Sequence, residues 1–168
     1  MACSISQTVL FSVLLLLSLH EACAKQTHLH FYFHEILSGS NATVMIVVNA
    51  SNSDSSTYGA ISVVDDMLRE GQDDNSTLIG RAQGLAAVVG KEDNSILAMT
   101  NFVFTDGEYN GSSLAIYGRV VQGTTIERPV IGGTGMFRIA TGYSLATPVI
   151  SSDTKLVYEF NVYVWHMD

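Results

Sequence analysis

An all-β fold, an eight-stranded antiparallel β-barrel, is what this chain of 168 residues predicts, on three observations. About eight apolar or aromatic runs follow one another at short spacing with only turn-like segments between them, the pattern of antiparallel sheet proteins. No stretch carries a useful i, i+3, i+4, i+7 stripe, so helices are not expected between the strands. Two prolines and 14 glycines suit tight turns better than a helical bundle. A sandwich meets the same pattern. The barrel is favoured because the runs are long and glycine-interrupted, and because closure removes exposed edges. A barrel of that size is just wide enough to hold one small ligand.

The first 24 residues are set apart from the fold. Residues 9–19 (VLFSVLLLLSL) form an apolar run too short to span a bilayer. Ala22-Cys23-Ala24 follows as a small-x-small pattern of the kind a signal peptidase cuts. A secretory leader over 1–24 and a single barrel domain over 25–168 are therefore expected. Cys3 and Cys23 are the only cysteines, and both leave with the leader. The mature chain then has no disulfide, thiol nucleophile or thiolate metal ligand. Secretion gives meaning to the sequons that begin at Asn41, Asn49, Asn75 and Asn110, which must face solvent if glycans are attached.

The strands follow in order. Residues 29–37 (LHFYFHEIL) are aromatic-rich and end at the turn cluster Ser38-Gly39-Ser40-Asn41. Residues 43–48 (TVMIVV) form a second run, and 58–65 (YGAISVVD) a third. The acidic stretch 65–77 is expected as a loop. Residues 78–89 form the fourth strand, with Gly80 and Gly84 as bulge or kink points. Residues 96–105 and 113–121 flank Asp106-Gly107 and Asn110-Gly111, a hairpin signal. A short strand at 129–131 precedes the turn Gly132-Gly133-Thr134-Gly135, and 136–139 is expected to continue as strand. Residues 137–146 and 156–165 supply the last two.

Charge narrows the function classes. Eight Lys+Arg stand against 16 Asp+Glu, a net charge of −8, with no basic run; this argues against nucleic acid, whose phosphates require a local cationic surplus. No membrane partner is expected either. His28, His30 and His34 share one strand face, but no fourth ligand is evident, so they are read as outward-facing histidines and no metal is expected. Gly132-Gly133-Thr134-Gly135 lacks the lysine and following helix of a phosphate loop. Asp65-Asp66 alternate faces if they lie on a strand; a solvated acidic rim is the favoured reading. No flavin or nicotinamide fingerprint occurs, so no cofactor is expected.

Glu35 is the most informative residue. It shares parity with Phe31, Phe33 and Leu37, and a carboxylate on an apolar face is either paired or working, with its pKa raised by desolvation. The opposite parity, Tyr32, His34 and Ile36, is the alternative inward face. Periodicity leaves the two open.

Five collinear segments resemble the plant dirigent family. They are Phe31-Tyr32-Phe33-His34-Glu35-Ile36-Leu37, Gly80-Arg81-Ala82-Gln83-Gly84, Asn101-Phe102-Val103-Phe104-Thr105 with Gly107-Glu108-Tyr109-Asn110-Gly111, Gly132-Gly133-Thr134-Gly135-x-Phe137-Arg138, and Asn161-Val162-Tyr163-Val164. The resemblance implies an eight-stranded antiparallel barrel, secreted to the apoplast and assembled as a homo-oligomer (trimer or dimer). It also puts the family's acid, here Glu35 in place of the usual aspartate, on the pocket face. Lignan-forming members resemble Gly-Ala-Asp where this chain has Gly118-Arg119-Val120, so their second pocket aspartate is matched by Val120. Their arginine before the glycine turn is matched by Ile126, with Arg128 two residues along. The wording is closer to the branch with pterocarpan-forming and unassigned members.

The implied activity is stereoselective coupling of phenoxy radicals from coniferyl alcohol or a related small phenolic guest, the oxidation being done by an external laccase or peroxidase. In that role the barrel supplies orientation, and about 1.4 kcal/mol between two poses already gives a tenfold bias. Glu35 is the expected acid or proton shuttle, Arg119 and Arg138 the expected holders of phenolate charge, and Phe33, Tyr158 and Phe160 the expected stacking surfaces. Two alternatives stand beside it: a pterocarpan synthase-like dehydratase/cyclase acting on an isoflavanol through a quinone methide, and a non-catalytic secreted defence or sugar-binding barrel.

Overall fold

The computed structural model describes residues 24–50 and 57–167. The expected leader, with Cys3 and Cys23, lies outside the described residues except for Ala24. Nine strand segments build one antiparallel sheet: β1 (Ala24–Ile36), β2 (Val44–Val48), β3 (Ile61–Arg69), β4 (Leu78–Val88), β5 (Ile96–Phe104), β6 (Ser113–Val120), β7 (Ile126–Thr134), β8 (Thr141–Ser151) and β9 (Lys155–Met167). The sheet order is β1-β9-β8-β7-β6-β5-β4-β3-β2, with β1 also pairing to β3. That extra pairing, Tyr32↔Arg69 to His34↔Met67, closes the sheet into an eight-stranded barrel. β2 continues the line of β1 along the first half of β3, Val44 lying opposite Val64. The two segments therefore share one place in the barrel, interrupted by 37–43. Among the described residues no helix is long and apolar enough to cross a membrane.

Strict alternation divides inside from outside. On β1, Leu29 and Phe31 are buried while His28 and His30 are exposed, so Phe33 and Glu35 take the interior parity. The hairpin at 105–112 forms as its glycines require: Gly107 and Gly111 have φ of 71° and 81°, open to glycine at little cost.

Several expectations are corrected. The stretch expected to be loop from Asp65 is strand as far as Arg69, because β1 and β4 pair with it on both sides. Within it the acidic rim holds only for Asp65, which is exposed and bonded to Arg81; Asp66 is fully buried. Residues 136–139 do not continue as strand. Gly135–Phe137 is a single 3₁₀ turn, with Gly135 at φ 61°, and it swings Phe137 into the core. Gly84 marks no bulge: a Cβ there would lie 1.9 Å from the Met99 carbonyl oxygen, so the glycine permits close strand approach. The register shift falls beside Gly80, between Leu68 and Arg69 on the partner strand. His34 is not an exposed histidine; it is buried beneath the β3–β4 loop, its Nε2 3.0 Å from the Gly71 carbonyl oxygen and its Nδ1 3.3 Å from Asp74 Oδ1. Among the described residues no three metal-ligating side chains converge.

One half of the interior is filled. Phe31 stacks on Phe160 at 5.7 Å, and Phe102 meets both edge-on at 5.3 and 5.2 Å. Phe104 and Phe137 extend the cluster, and Thr27 joins His166 at the end of the barrel with a 2.9 Å hydrogen bond. Aromatic pairs of this geometry contribute about 0.5–1.5 kcal/mol each beyond their burial.

Candidate functional site: an acid-lined cavity in the open half of the barrel

The aromatic plug stops at Phe160 and Phe33, and above it the barrel is hollow. The cavity has a volume of about 750 Å³, within the range of small-molecule sites. Its walls are mainly aliphatic, including Val64, Ala98, Val120, Ile126 and Ala146. A few polar groups converge on it from different strands: Glu35 from β1, Asp66 from β3, Arg128 from β7 and Tyr158 from β9.

Glu35 and Asp66 form the acid wall. Neighbouring strands place them there, since β1 and β3 pair and both residues point inward. Burial pushes the Glu35 carboxyl up to about 7. Asp66 is pushed up to about 8, first by burial and then by the charge of Glu35, against a lowering hydrogen bond from Thr43. Thr43 stands at the end of the 37–43 interruption. Its hydroxyl accepts the Ile36 amide at 2.8 Å and donates to Asp66 Oδ1. The other oxygen of Asp66, Oδ2, is buried without a partner among the described residues. Two like carboxyls in an apolar pocket cannot both ionise cheaply, so below neutrality they are neutral acids able to donate a proton.

Arg128 stands on the far side, three strands from β1 by way of β9 and β8. It is buried, its charge lying over the Phe160 ring at 5.9 Å and its Nη1 3.4 Å from Thr100 Oγ1. Burial lowers its pKa to about 10, so it remains charged at any physiological pH. Tyr158 lies between the two poles; burial and Glu35 raise its pKa while Arg128 lowers it.

The residues singled out from the sequence divide clearly. Phe33, Glu35, Tyr158 and Phe160 all line the cavity. Arg119 does not: it is on the outer face, exposed and paired with Asp93. Arg138 is exposed at the opposite end of the barrel, beside a shallow depression formed with Met136, Ile139 and His166. The cavity cation is Arg128. Val120 faces the cavity, so the acid matched there in lignan-forming members is absent from that wall, while Asp66 supplies a second acid from another strand. Asp66 was hidden by the reading of 65–77 as loop; its signal was the period-2 series Val64, Asp66, Leu68. Arg128 carried the same signal between Ile126 and Val130.

The model of the family described as "Dirigent-like protein" matches residues 26–165. Dirigent protein 11 of Arabidopsis thaliana is 44% identical over 145 residues, covering 84% of this chain and 75% of the relative. Pterocarpan synthase 1 of Glycyrrhiza echinata is 35% identical over 148 residues, covering 84% of this chain and 79% of the relative. The solved structure of the pterocarpan synthase dirigent protein GePTS1 superposes with a TM-score of 0.80 at 32% identity, covering 86% of this chain and 87% of that one.

Proposed function

Since this chain belongs to the dirigent family, we propose that its cavity holds a plant phenolic guest and governs the fate of a quinone methide, with Glu35 and Asp66 handling the proton. The observation that carries this reading is two carboxyls side by side on the wall of an apolar pocket, where desolvation favours their neutral forms.

In the first form of the reading the guest is an isoflavanol. A protonated carboxyl donates to the benzylic hydroxyl, which departs as water. The ring phenol gives up its proton, which restores the carboxyl, and the quinone methide remains. A second phenolic oxygen of the guest then bonds to the benzylic carbon, and its proton passes to the quinone methide oxygen. The net change is loss of one water, with no oxidant. General acid assistance of this kind contributes roughly 10²–10⁴-fold, and the barrel walls restrict the guest to few reacting poses. The likeness to pterocarpan synthases in sequence and in structure supports it.

The second form is stereoselective coupling of phenoxy radicals supplied by a laccase or peroxidase, in which the same acids protonate the coupled quinone methide. The higher identity to chains named only as dirigent proteins favours it. Incubation with racemic isoflavanol in the absence of oxidant distinguishes the two. Pterocarpan formation that disappears in Glu35→Gln establishes the first form. No turnover, together with enantiomerically enriched pinoresinol from coniferyl alcohol plus laccase, establishes the second. Neither product leaves a non-catalytic binder.

The reading includes secretion to the apoplast after removal of 1–24 and glycans on two or three of the four sequon asparagines, Asn41, Asn49, Asn75 and Asn110, all of which are exposed. It also includes a homo-oligomer. Met45, Val63, Leu85, Met99 and Tyr117 are exposed and lie side by side across β2 to β6, an apolar row suited to a second copy. Met99→Lys is expected to reduce the mass measured by light scattering to that of a monomer.

A further inference from the structure

We propose that Arg128 makes the inner wall of this cavity a site for an anionic oxygen on an aromatic guest, a carboxylate or an acidic phenol. The inference rests on the reading of the cavity as the guest site. A buried guanidinium is costly unless its charge is answered, and Arg128 is only 5% exposed. Among the described residues no carboxylate lies within salt-bridge distance of it. Its side-chain contacts among the described residues are weak ones, a 3.4 Å approach to the Thr100 hydroxyl and the Phe160 ring face, and its Nε is buried with no partner among them.

The acid pair does not serve as its counter-ion. The carboxyl of Glu35 is shifted by burial alone, and the charges that Asp66 senses are those of Glu35, Arg81 and Asp65. The titratable groups lining the cavity are Glu35, Asp66, Arg128, Asp153 and Tyr158. With the acid pair neutral, the inner end of the cavity is left with one uncompensated positive charge next to an aromatic platform. An aromatic acid fits this arrangement: its ring against Phe160 and Phe33, its anionic oxygen on the planar donor fork of the guanidinium.

The test compares two guests of one skeleton and adds a third that carries an ionised phenol. Ferulate and coniferyl alcohol differ in their side-chain terminus, carboxylate against hydroxymethyl, and 2,4-dinitrophenol supplies an ionised phenol at pH 6. Calorimetric titration of the mature protein at pH 6 is expected to give at least tenfold tighter binding of ferulate than of coniferyl alcohol. Arg128→Met and Arg128→Gln are expected to abolish that preference, and Arg128→Lys to keep part of it. Raising the pH to 9, where Glu35 and Asp66 ionise, is expected to shrink it.

Preference for ferulate alone identifies a carboxylate site; equal preference for dinitrophenolate identifies a site that reads charge on any aryl anion. Equal affinity for ferulate and coniferyl alcohol in the wild-type protein overturns the inference, and that comparison needs no variant to fold. A preference that survives both neutral variants overturns it too. Isoflavanol turnover, measured separately on the wild-type protein, shows whether the proposed function fails with the inference or stands without it.

Discussion

The two halves of this barrel are built from the same eight strand positions by the same alternation, yet they differ in what the inward side chains are. In the plugged half the inward strand positions carry Phe31, Phe102, Phe104 and Leu114, and the 3₁₀ turn adds Phe137, all essentially buried, so little space remains. In the open half the corresponding positions carry Ala86, Ala98, Val120 and Ala146 together with Glu35, Asp66 and Arg128. Eight strands enclose nearly constant cross-section, so residue volume alone decides whether a level is core or cavity. One half supplies stability, and the other spends some of it to keep ionisable groups out of water. The two are separated by a single layer, Phe33 and Phe160.

The comparison predicts unequal costs for like truncations. Phe102→Ala in the plug is expected to destabilise by about 3–5 kcal/mol, read by thermal or denaturant unfolding. Val120→Ala on the cavity wall is expected to cost well under half of that, because the space it opens is already open. Equal costs would remove the distinction between the halves.

The next largest effect concerns pH. The folded-state pKa values of Glu35 and Asp66 are raised, to about 7 and about 8, so burial favours their neutral forms. Their contribution to stability is therefore full below their unfolded-state values, near pH 4, and is lost as the pH climbs through 7 and 8, by on the order of a few kcal/mol. Melting temperature should fall between pH 5 and pH 9. Asp66→Asn should flatten that fall while lowering turnover of the proposed isoflavanol reaction by roughly 10²–10⁴-fold. A melting temperature unchanged across this range would mean that the acids are not desolvated.

The smallest effect sharpens the inside-outside boundary. Arg119→Ala removes an exposed ion pair with Asp93 and should leave both guest binding and catalysis unchanged, whereas Arg128→Met should change guest binding. Loss of guest affinity in Arg119→Ala would require the outer face to take part in the site.

Much of the barrel was legible from one-dimensional pattern. Alternation and turn chemistry located β4, β5, β6 and β9 to within a few residues, since these strands have one apolar face and are bounded by glycine or polar turn residues such as Ser152-Asp153-Thr154. β3 was read too short because Asp65, Asp66 and Glu70 look like loop, and polarity cannot distinguish a solvated acid from one pointing into a cavity. Within the 3₁₀ turn Gly135–Phe137, Gly135 reads as turn but Met136 and Phe137 read as strand from their apolar character; the burial of Phe137 comes from the turn's direction, which local pattern does not encode. For Glu35, parity offered two faces, and only the resemblance chose between them.

The amino-acid sequence by itself determined that this chain forms strands, roughly where they begin and end, and that Glu35 shares a face with phenylalanines, because alternation and turn preference are local properties of neighbouring residues. Only the tertiary structure decided that Asp66 stands beside Glu35, that Arg128 rather than Arg119 or Arg138 enters the cavity, and that half the barrel stays hollow. Those facts depend on closure between β1 and β3 and on the summed volume of side chains from eight strand positions at one level, quantities that no single segment contains.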